Sequence, residues 1–264
     1  MIVVGCSEQS SDLSTTAGPK KIISLDYCAD QFVLALVDRE NILALSPQAT
    51  APFSYLREAA AGIKTVRASA EDILVLKPDI VVRTYGGGPN ATTFFERAGI
   101  DVVQIGYAST LDDVSDITRD TARQLKAVGR GELPIADMEK RLKAIPPSSG
   151  NLKALYLTSK GAVAGRQTII GDIMERAGVA NFLPQSGWES LPLEHLVYEK
   201  PDLIAAGFFE SSDFVTDRWT PSRHPVAQRL LSDTPVVLIP GSWTSCGAWP
   251  LINAVEAIAD AREL

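Results

Sequence analysis

The sequence predicts an α/β protein of two lobes, each with a central, mostly parallel sheet flanked by helices. Three observations carry this. Short apolar, β-branched runs alternate with helix-like stretches over residues 20–110 and again over 151–264, and strands spaced by helices pair in parallel with both faces covered. Residues 111–145, between the two series, hold few strand formers and many Asp, Arg, Lys, Ala and Leu at helical spacing. Finally, the 14 residues Ser69 to Val82 lie without a gap over Pro192 to Ala205, with four identities (Glu, Lys, Pro, Asp) and four exchanges among Ile, Leu and Val.

The elements follow in order. Ile22-Ile23-Ser24-Leu25 is a strand, Asp30 to Val37 an amphipathic helix and Ile42 to Leu45 a second strand. Ala70 to Leu76 reads as a helix that Pro78 stops, because proline lacks the donor and clashes with the preceding turn. Ile80-Val81-Val82 is a buried strand, Gly86-Gly87-Gly88-Pro89 a turn, Thr92 to Ala98 a helix ended by Gly99, and Val102 to Ile105 a strand. The connector 111–145 is mostly helix, with Gly129, Gly131 and Pro134 marking a kink or break. The second lobe takes Ala154–Leu157, Leu203–Ala206 and Val236–Ile239 as strands, with Ile169–Ala177 and Leu251–Ala261 as helices.

Composition narrows the function. With 264 residues, 45% hydrophobic and 22% charged, the chain can fill two cores. A net charge of −7 argues against a nucleic-acid partner, which needs a basic face. No apolar run is long enough to span a membrane, and two histidines exclude any site of three imidazoles. GxSxG, Walker A, GxGxxG, HExxH and CxxC patterns are all absent. His195 and His224 have no Cys or Asp at triad or zinc spacing and read as surface or packing residues. No catalytic residue and no resident metal site or cofactor is assigned.

In open α/β sheets ligands bind at the carboxyl ends of the strands, and the loops there are rich in aromatic and small residues. They carry Asp26-Tyr27, Phe53-Ser54-Tyr55, Arg83-Thr84-Tyr85-Gly86, Gly165-Arg166, Gly187-Trp188-Glu189, Phe208-Phe209 and Ser242-Trp243. All four tryptophans (Trp188, Trp219, Trp243, Trp249) fall in the second half, in loops or at helix starts. Flat rings there suit a large, partly apolar ligand, and Arg83, Arg166 and Arg218 are the cations available to an anionic one.

The N-terminus resembles an export address. Val3-Val4-Gly5-Cys6 is similar to the end of a bacterial lipoprotein signal, with Cys6 the lipidated residue. The polar stretch from Ser7 to Gly18 reads as a flexible tether, so residues 1–19 form a signal remnant and tether. The remaining pair, Cys28 and Cys246, either bridges in an oxidising compartment or consists of unrelated small apolar residues.

From Lys20 onward the chain resembles the periplasmic substrate-binding proteins of ABC importers for cobalamin and ferric siderophores. The resemblance rests on Ile22-Ile23-Ser24-Leu25, both Glu…Lys-Pro-Asp repeats, Tyr85-Gly86-Gly87-Gly88, Gly165-Arg166-Gln167-Thr168, Glu175-Arg176-Ala177-Gly178, Trp188 and Ser242-Trp243. It implies two lobes joined by a single long helix and a ligand between them. It also implies delivery to a permease dimer in the inner membrane by a periplasmic monomer, itself tethered where Cys6 is lipidated. In the cobalamin-binding member, aromatics matching Tyr85 and Trp188 and the loop matching Ser242-Trp243 line the cleft. Here Tyr85 replaces a tryptophan, Ser242 an aspartate, and Cys246 follows, which leaves corrinoid, ferric siderophore and haem open. The zinc and manganese receptors of this fold use several histidines, which this chain lacks. The implied ligand contacts are Tyr27, Tyr55, Tyr85, Gly86, Arg166, Trp188, Phe208, Ser242 and Trp243. Glu71 and Glu194, equivalent in the repeat, are the implied permease contacts. The competing class is a two-lobed tetrapyrrole chelatase, which needs a positioned histidine with an acidic partner, and only His224 falls in a cleft loop.

Overall fold

The computed structural model describes residues 20–148, 151–208 and 224–263. Cys6 and its tether, Phe209, Arg218 and Trp219 lie outside them. The N-terminal lobe runs β1 (Ile22–Ser24), α1 (Tyr27–Leu36), β2 (Ile42–Ala44), α2 (Arg57–Ala60), α3 (Ala70–Leu76), β3 (Ile80–Arg83), α4 (Ala91–Arg97) and β4 (Asp101–Gln104). Its four strands are all parallel, in the order β2-β1-β3-β4. Every residue of β1 and β3 is buried, as expected for strands covered on both faces. Helix α1 forms where Ala29, Phe32, Val33 and Leu36 recur at helical spacing on its buried side, and Asp26 caps its start.

The connector is a hairpin of two helices, α5 (Leu111–Gln124) and α6 (Val128–Ala144), rather than the single helix that the family resemblance implies. The chain reverses at Leu125–Ala127, where Lys126 takes a left-handed conformation (φ 56°). Gly131 does not break the helix. Added there, a Cβ would stand 2.5 Å from the Cβ of Ala122, so the glycine is what lets the two helices approach. Arg119 of α5 pairs with Glu132 and Glu139 of α6. Leu111 and Val114 of α5 are buried in the C-terminal lobe's core, whereas Ala122 is buried in that of the N-terminal lobe. The hairpin therefore belongs to both lobes. It is fastened to one by Arg130–Asp38 and to the other by Arg141–Glu256 and by the Leu111 amide on Asp172.

The C-terminal lobe follows as β5 (Lys153–Thr158), β6 (Ala162–Ala164), α7 (Ile169–Arg176), β7 (Ala180–Asn181), β8 (Trp188–Ser190), α8 (His195–Tyr198), β9 (Leu203–Gly207), α9 (Pro225–Asp233), β10 (Val236–Ile239), α10 (Gly241–Thr244) and α11 (Leu251–Asp260). Its sheet is mixed. β10, β9, β5 and β7 are parallel, while β6 and β8 add an antiparallel edge that the sequence does not announce. Trp188 thus opens a short edge strand instead of lying in a loop.

The internal repeat has one structural meaning in both lobes. Asp79 accepts a hydrogen bond from the Lys21 amide (2.6 Å) and donates its own amide to the Lys21 carbonyl; Asp202 does the same with Lys153 (2.8 Å). In each lobe the Lys-Pro-Asp turn thereby sets the register of β3 against β1, or of β9 against β5.

Candidate ligand-binding cleft

The N-terminal wall of the cleft is assembled by the first turns of α1. Asp26 is buried (3% exposed). One carboxylate oxygen accepts the Ala29 amide at 2.9 Å, and the other accepts the amides of Thr84, Tyr85 and Gly86 at 2.7, 3.0 and 2.9 Å. This places the loop after β3 directly against the start of α1. Only glycine fits at position 86, since a Cβ there would lie 2.3 Å from the Leu25 carbonyl oxygen. Arg83 braces the same loop from its other side. Its buried guanidinium donates to the carbonyls of Gly86 (2.7 Å), Tyr85 (3.2 Å) and Gly88 (2.9 Å), and to Thr92 and Gln104 (both 3.0 Å). Further along α1, Asp30 accepts from the Ser46 amide and hydroxyl, and Gln31 accepts from the Leu56 amide.

What these bonds hold out is an aromatic group. Tyr27 meets Phe53 edge-on at 4.9 Å and Tyr85 at 6.0 Å, and Tyr85 remains 54% exposed. Burial pushes both phenols up, and the Asp26 charge pushes in the same direction, so both stay protonated at neutral pH. They offer apolar faces and O–H donors, not a phenolate.

In the C-terminal lobe Trp188, 49% exposed, stands edge-on to the buried Tyr156 at 6.0 Å. The Tyr156 hydroxyl lies 3.5 Å from that of Thr244 in α10, the helix opening from the carboxyl end of β10. Ser242 in the same helix lines a cavity of about 570 Å³ together with Pro240 and, across the lobes, Thr50, Pro52, Arg57 and Glu58. Trp243 is half-buried against the C-terminal core. Cys28 and Cys246 are joined by a disulfide that crosses from one lobe to the other.

A family model described as periplasmic binding protein matches residues 22–235. The chain belongs to the periplasmic binding protein family. A curated cobalamin-binding protein from Halobacterium salinarum is 26% identical over 199 residues, covering 72% of this chain and 54% of that protein. The chain therefore spans about half the length of the curated relatives it matches. Solved structures at similar extent include the periplasmic heme-binding protein RhuT from Roseiflexus sp. RS-1 in apo form (TM-score 0.71, 21% identity, 92% of this chain and 99% of that one). The periplasmic vitamin B12 binding protein BtuF of Vibrio cholerae is another (TM-score 0.64, 17% identity, 92% and 96%). At these identities the likeness is one of fold. The family and these neighbours are binding proteins rather than enzymes, and among the described residues no helix is long and apolar enough to cross a membrane.

Within this periplasmic binding protein the residues singled out from sequence separate. Tyr27, Tyr85, Ser242 and Trp243 sit at the carboxyl ends of strands, Ser242 at the inter-lobe cavity, while Trp188 meets Tyr156, whose hydroxyl reaches Thr244. Gly86 serves the loop, its N–H and C=O both bonded within the lobe. Arg83 is consumed by carbonyls, so it is a scaffold and not an anion receptor. Phe53, rather than Tyr55, makes the ring contact with Tyr27. Arg166 is exposed in a groove of about 590 Å³ with Ser109, Thr110, Asp172 and Asn181, which none of the cleft aromatics lines. Phe208 follows β9 in a left-handed conformation (φ 63°). His224 caps α9, and His195 packs on Phe182 3.5 Å from Glu199. One residue is not singled out by the sequence: Tyr107, 77% exposed, follows β4 and obeys the same strand-end rule that picks Tyr85. Asp26 is named with its strand-end loop, but its role as the anchor of the Tyr85 loop has no sequence signal.

Asp30 carries a testable electrostatic cost. Burial, outweighing the bonds from Ser46 and Ser24, pushes its carboxyl up to about 6. An unfolded aspartate titrates near 4, so between about pH 4 and 6 the folded state binds more protons, and stability from this group falls as pH rises through that window. Asp30→Asn keeps an acceptor for the Ser46 amide and removes the titration. Urea unfolding should show it more stable than the parent by about 2–3 kcal/mol at pH 7 and nearly equal at pH 3.5. A variant less stable at pH 7 would contradict this.

Proposed function

We propose that the chain is the substrate-binding receptor of an ABC importer, taking a metal chelate of the corrinoid class between its lobes and delivering it to a two-subunit permease in the inner membrane. It acts as a periplasmic monomer without a resident cofactor, tethered through Cys6 where that residue carries lipid. The observation that carries the reading is the pair of half-exposed rings, Tyr85 and Trp188, one on each lobe and each buttressed by a second aromatic. Rings held this way bury a large planar or macrocyclic ligand without a metal ligand from the protein. Protonated phenols suit a chelate whose metal is already coordinated. Among the described residues Arg83 is spent on its own loop, Arg166 lies in another groove and Arg57 at the inter-lobe cavity is paired with Glu58, an arrangement that favours a corrinoid over haem or an anionic ferric siderophore. The curated relative described as cobalamin-binding points the same way. Among the described residues the His195–Glu199 pair packs on Phe182 rather than at these rings, which lends a chelatase reading no support. Ferrous iron and a free porphyrin should give no metal insertion, and turnover would sink the receptor reading.

Tyr85→Ala and Trp188→Ala are each expected to weaken cyanocobalamin binding by about 5- to 150-fold, the loss of a 1–3 kcal/mol aromatic contact. Unchanged affinity in both would show that the rings only pack their lobes.

Glu71 and Glu194 are both exposed, the first in the opening turn of α3 and the second immediately before α8. One acid on each lobe matches a partner with one basic site on each of two subunits, where rim charges set orientation and association rate. The double variant Glu71→Arg/Glu194→Arg should abolish uptake in cells while leaving cyanocobalamin affinity and thermal stability unchanged. Full transport by it, or loss of ligand binding, would remove the docking assignment.

A further inference from the structure

The segment after α10 straddles the lobes. Ser245 to Trp249 belong to the C-terminal lobe in sequence and keep contact with it, the Trp249 ring packing on both cores, yet several of their attachments cross to the N-terminal lobe. Cys246 is bonded to Cys28, the second residue of α1. The Ser245 hydroxyl donates to the Phe53 carbonyl at 2.9 Å. Ala248 is fully buried in the N-terminal core, and the Trp249 ring stands edge-on to Phe32 at 5.5 Å. Gly247 packs so closely on Ala108, in the crossing after β4, that a Cβ there would lie 3.1 Å from that of Ala108.

The position of this segment gives it leverage. The α5–α6 hairpin meets the N-terminal lobe where Gln124 to Arg130 share a cavity with Ile22 and Ile80, at the amino ends of β1 and β3. Ser245 to Trp249 meet it at the opposite, carboxyl ends, beside the aromatic loops. Two attachments separated by the height of a sheet leave the lobes far less rotational freedom than one. Cys28 also adjoins Tyr27, and Cys246 lies three residues beyond Trp243, so the bond ties one wall of the cleft to the other.

We propose that Ser245–Trp249, closed by the Cys28–Cys246 disulfide, is a positioning latch that holds Tyr27 and Trp243 at a fixed spacing and makes ligand retention depend on the bond being closed. The proposal rests on the inter-lobe cleft being the ligand site. A dithiol such as dithiothreitol opens the latch with two electrons and two protons: the S–S bond breaks, each sulfur becomes a thiol, and the dithiol is oxidised to its cyclic disulfide. The Ser245 and Trp249 contacts persist, so the opened protein keeps its lobes but samples a wider cleft. A binding-competent cleft that is only part of the ensemble lowers apparent affinity by its population.

The test uses the intact chain with nitroxides on a genetically encoded ketone residue at positions 75 and 198, the exposed Val75 and Tyr198, one on each lobe. Neither cysteine is needed for labelling. The oxidised, ligand-free protein should give one narrow inter-label distance. Reduced protein and the Cys28→Ser/Cys246→Ser variant should give a broader distribution, which saturating cyanocobalamin narrows again. Cyanocobalamin should leave the reduced protein about tenfold faster, since loosened contacts act mainly on dissociation. A reduced distribution superimposable on the oxidised one overturns the latch, whether or not cyanocobalamin binds. So does a reduced protein that is unfolded by circular dichroism, because the bond is then a fold staple. A latch that opens as described in a protein that fails to bind cyanocobalamin leaves the latch standing and removes the corrinoid reading instead.

Discussion

Asp26→Ala is expected to cost about 4 kcal/mol of folding stability and to abolish ligand binding. The carboxylate is buried and accepts four backbone amides, one that caps α1 and three that hold the loop bearing Tyr85. Hydrogen bonds to a charged group are each worth about 1.5–3 kcal/mol, and they do not add when the partners can relax together. Alanine would leave four amides without their acceptor, and Arg83 would hold the loop from one side only. Asp26→Asn should fall between, because its carboxamide keeps one acceptor but presents a donor to a cluster of donors. Urea unfolding measures the first effect, and a cyanocobalamin titration of the surviving folded protein measures the second. A loss below 1 kcal/mol with intact affinity would mean that the loop is self-supporting.

Reducing the Cys28–Cys246 bond is expected to lower the melting temperature by on the order of 10 °C. The bond spans 218 residues of sequence. Cross-linking positions so far apart removes chain entropy from the unfolded ensemble worth up to about 5 kcal/mol, although the gain found in practice is often smaller. Scanning calorimetry with and without a thiol reductant reads the change directly. A shift under about 3 °C would indicate that the unfolded chain gains little freedom when the bond opens.

Much of the fold was legible because it is written in short, local patterns. Ile80 to Val82 and Leu203 to Ala206 are continuous apolar runs, and Ile22 to Leu25 is one interrupted only by Ser24, which is how a strand buried on both faces reads. The duplicated Lys-Pro-Asp turn was visible as a repeat, and its purpose, an aspartate seated on the first strand of each lobe, is a contact that no spacing reveals. The sequence does not announce the hairpin, because the reversal at Leu125–Ala127 contains neither glycine nor proline. Gly131 looked like a breaker and is a helix-crossing contact, while Pro134 lies inside α6. Strands β6 and β8 escaped because three-residue edge strands carry almost no periodicity, and Trp188, Glu189 and Ser190 are all exposed. Strand-end position places Tyr27, Tyr85, Ser242 and Trp243 beside the carboxyl ends of β1, β3 and β10, where the structure has them. Arg83 misled for a physical reason: a guanidinium at a strand end looks the same in sequence whether it meets an anion or five oxygens of its own lobe. The pairing of Cys28 with Cys246 stayed open until the two lobes were in place to bring them together.

The most direct test is a tryptophan-fluorescence titration of the oxidised protein with cyanocobalamin, haemin and ferric siderophores in parallel. Saturable quenching by cyanocobalamin at one site, with an affinity in the micromolar range or tighter and lost in the Tyr85→Ala/Trp188→Ala double variant, is expected. Preference for haemin or a siderophore would contradict the corrinoid assignment, and no saturable quenching by any of the three would contradict the aromatic cleft as a chelate site.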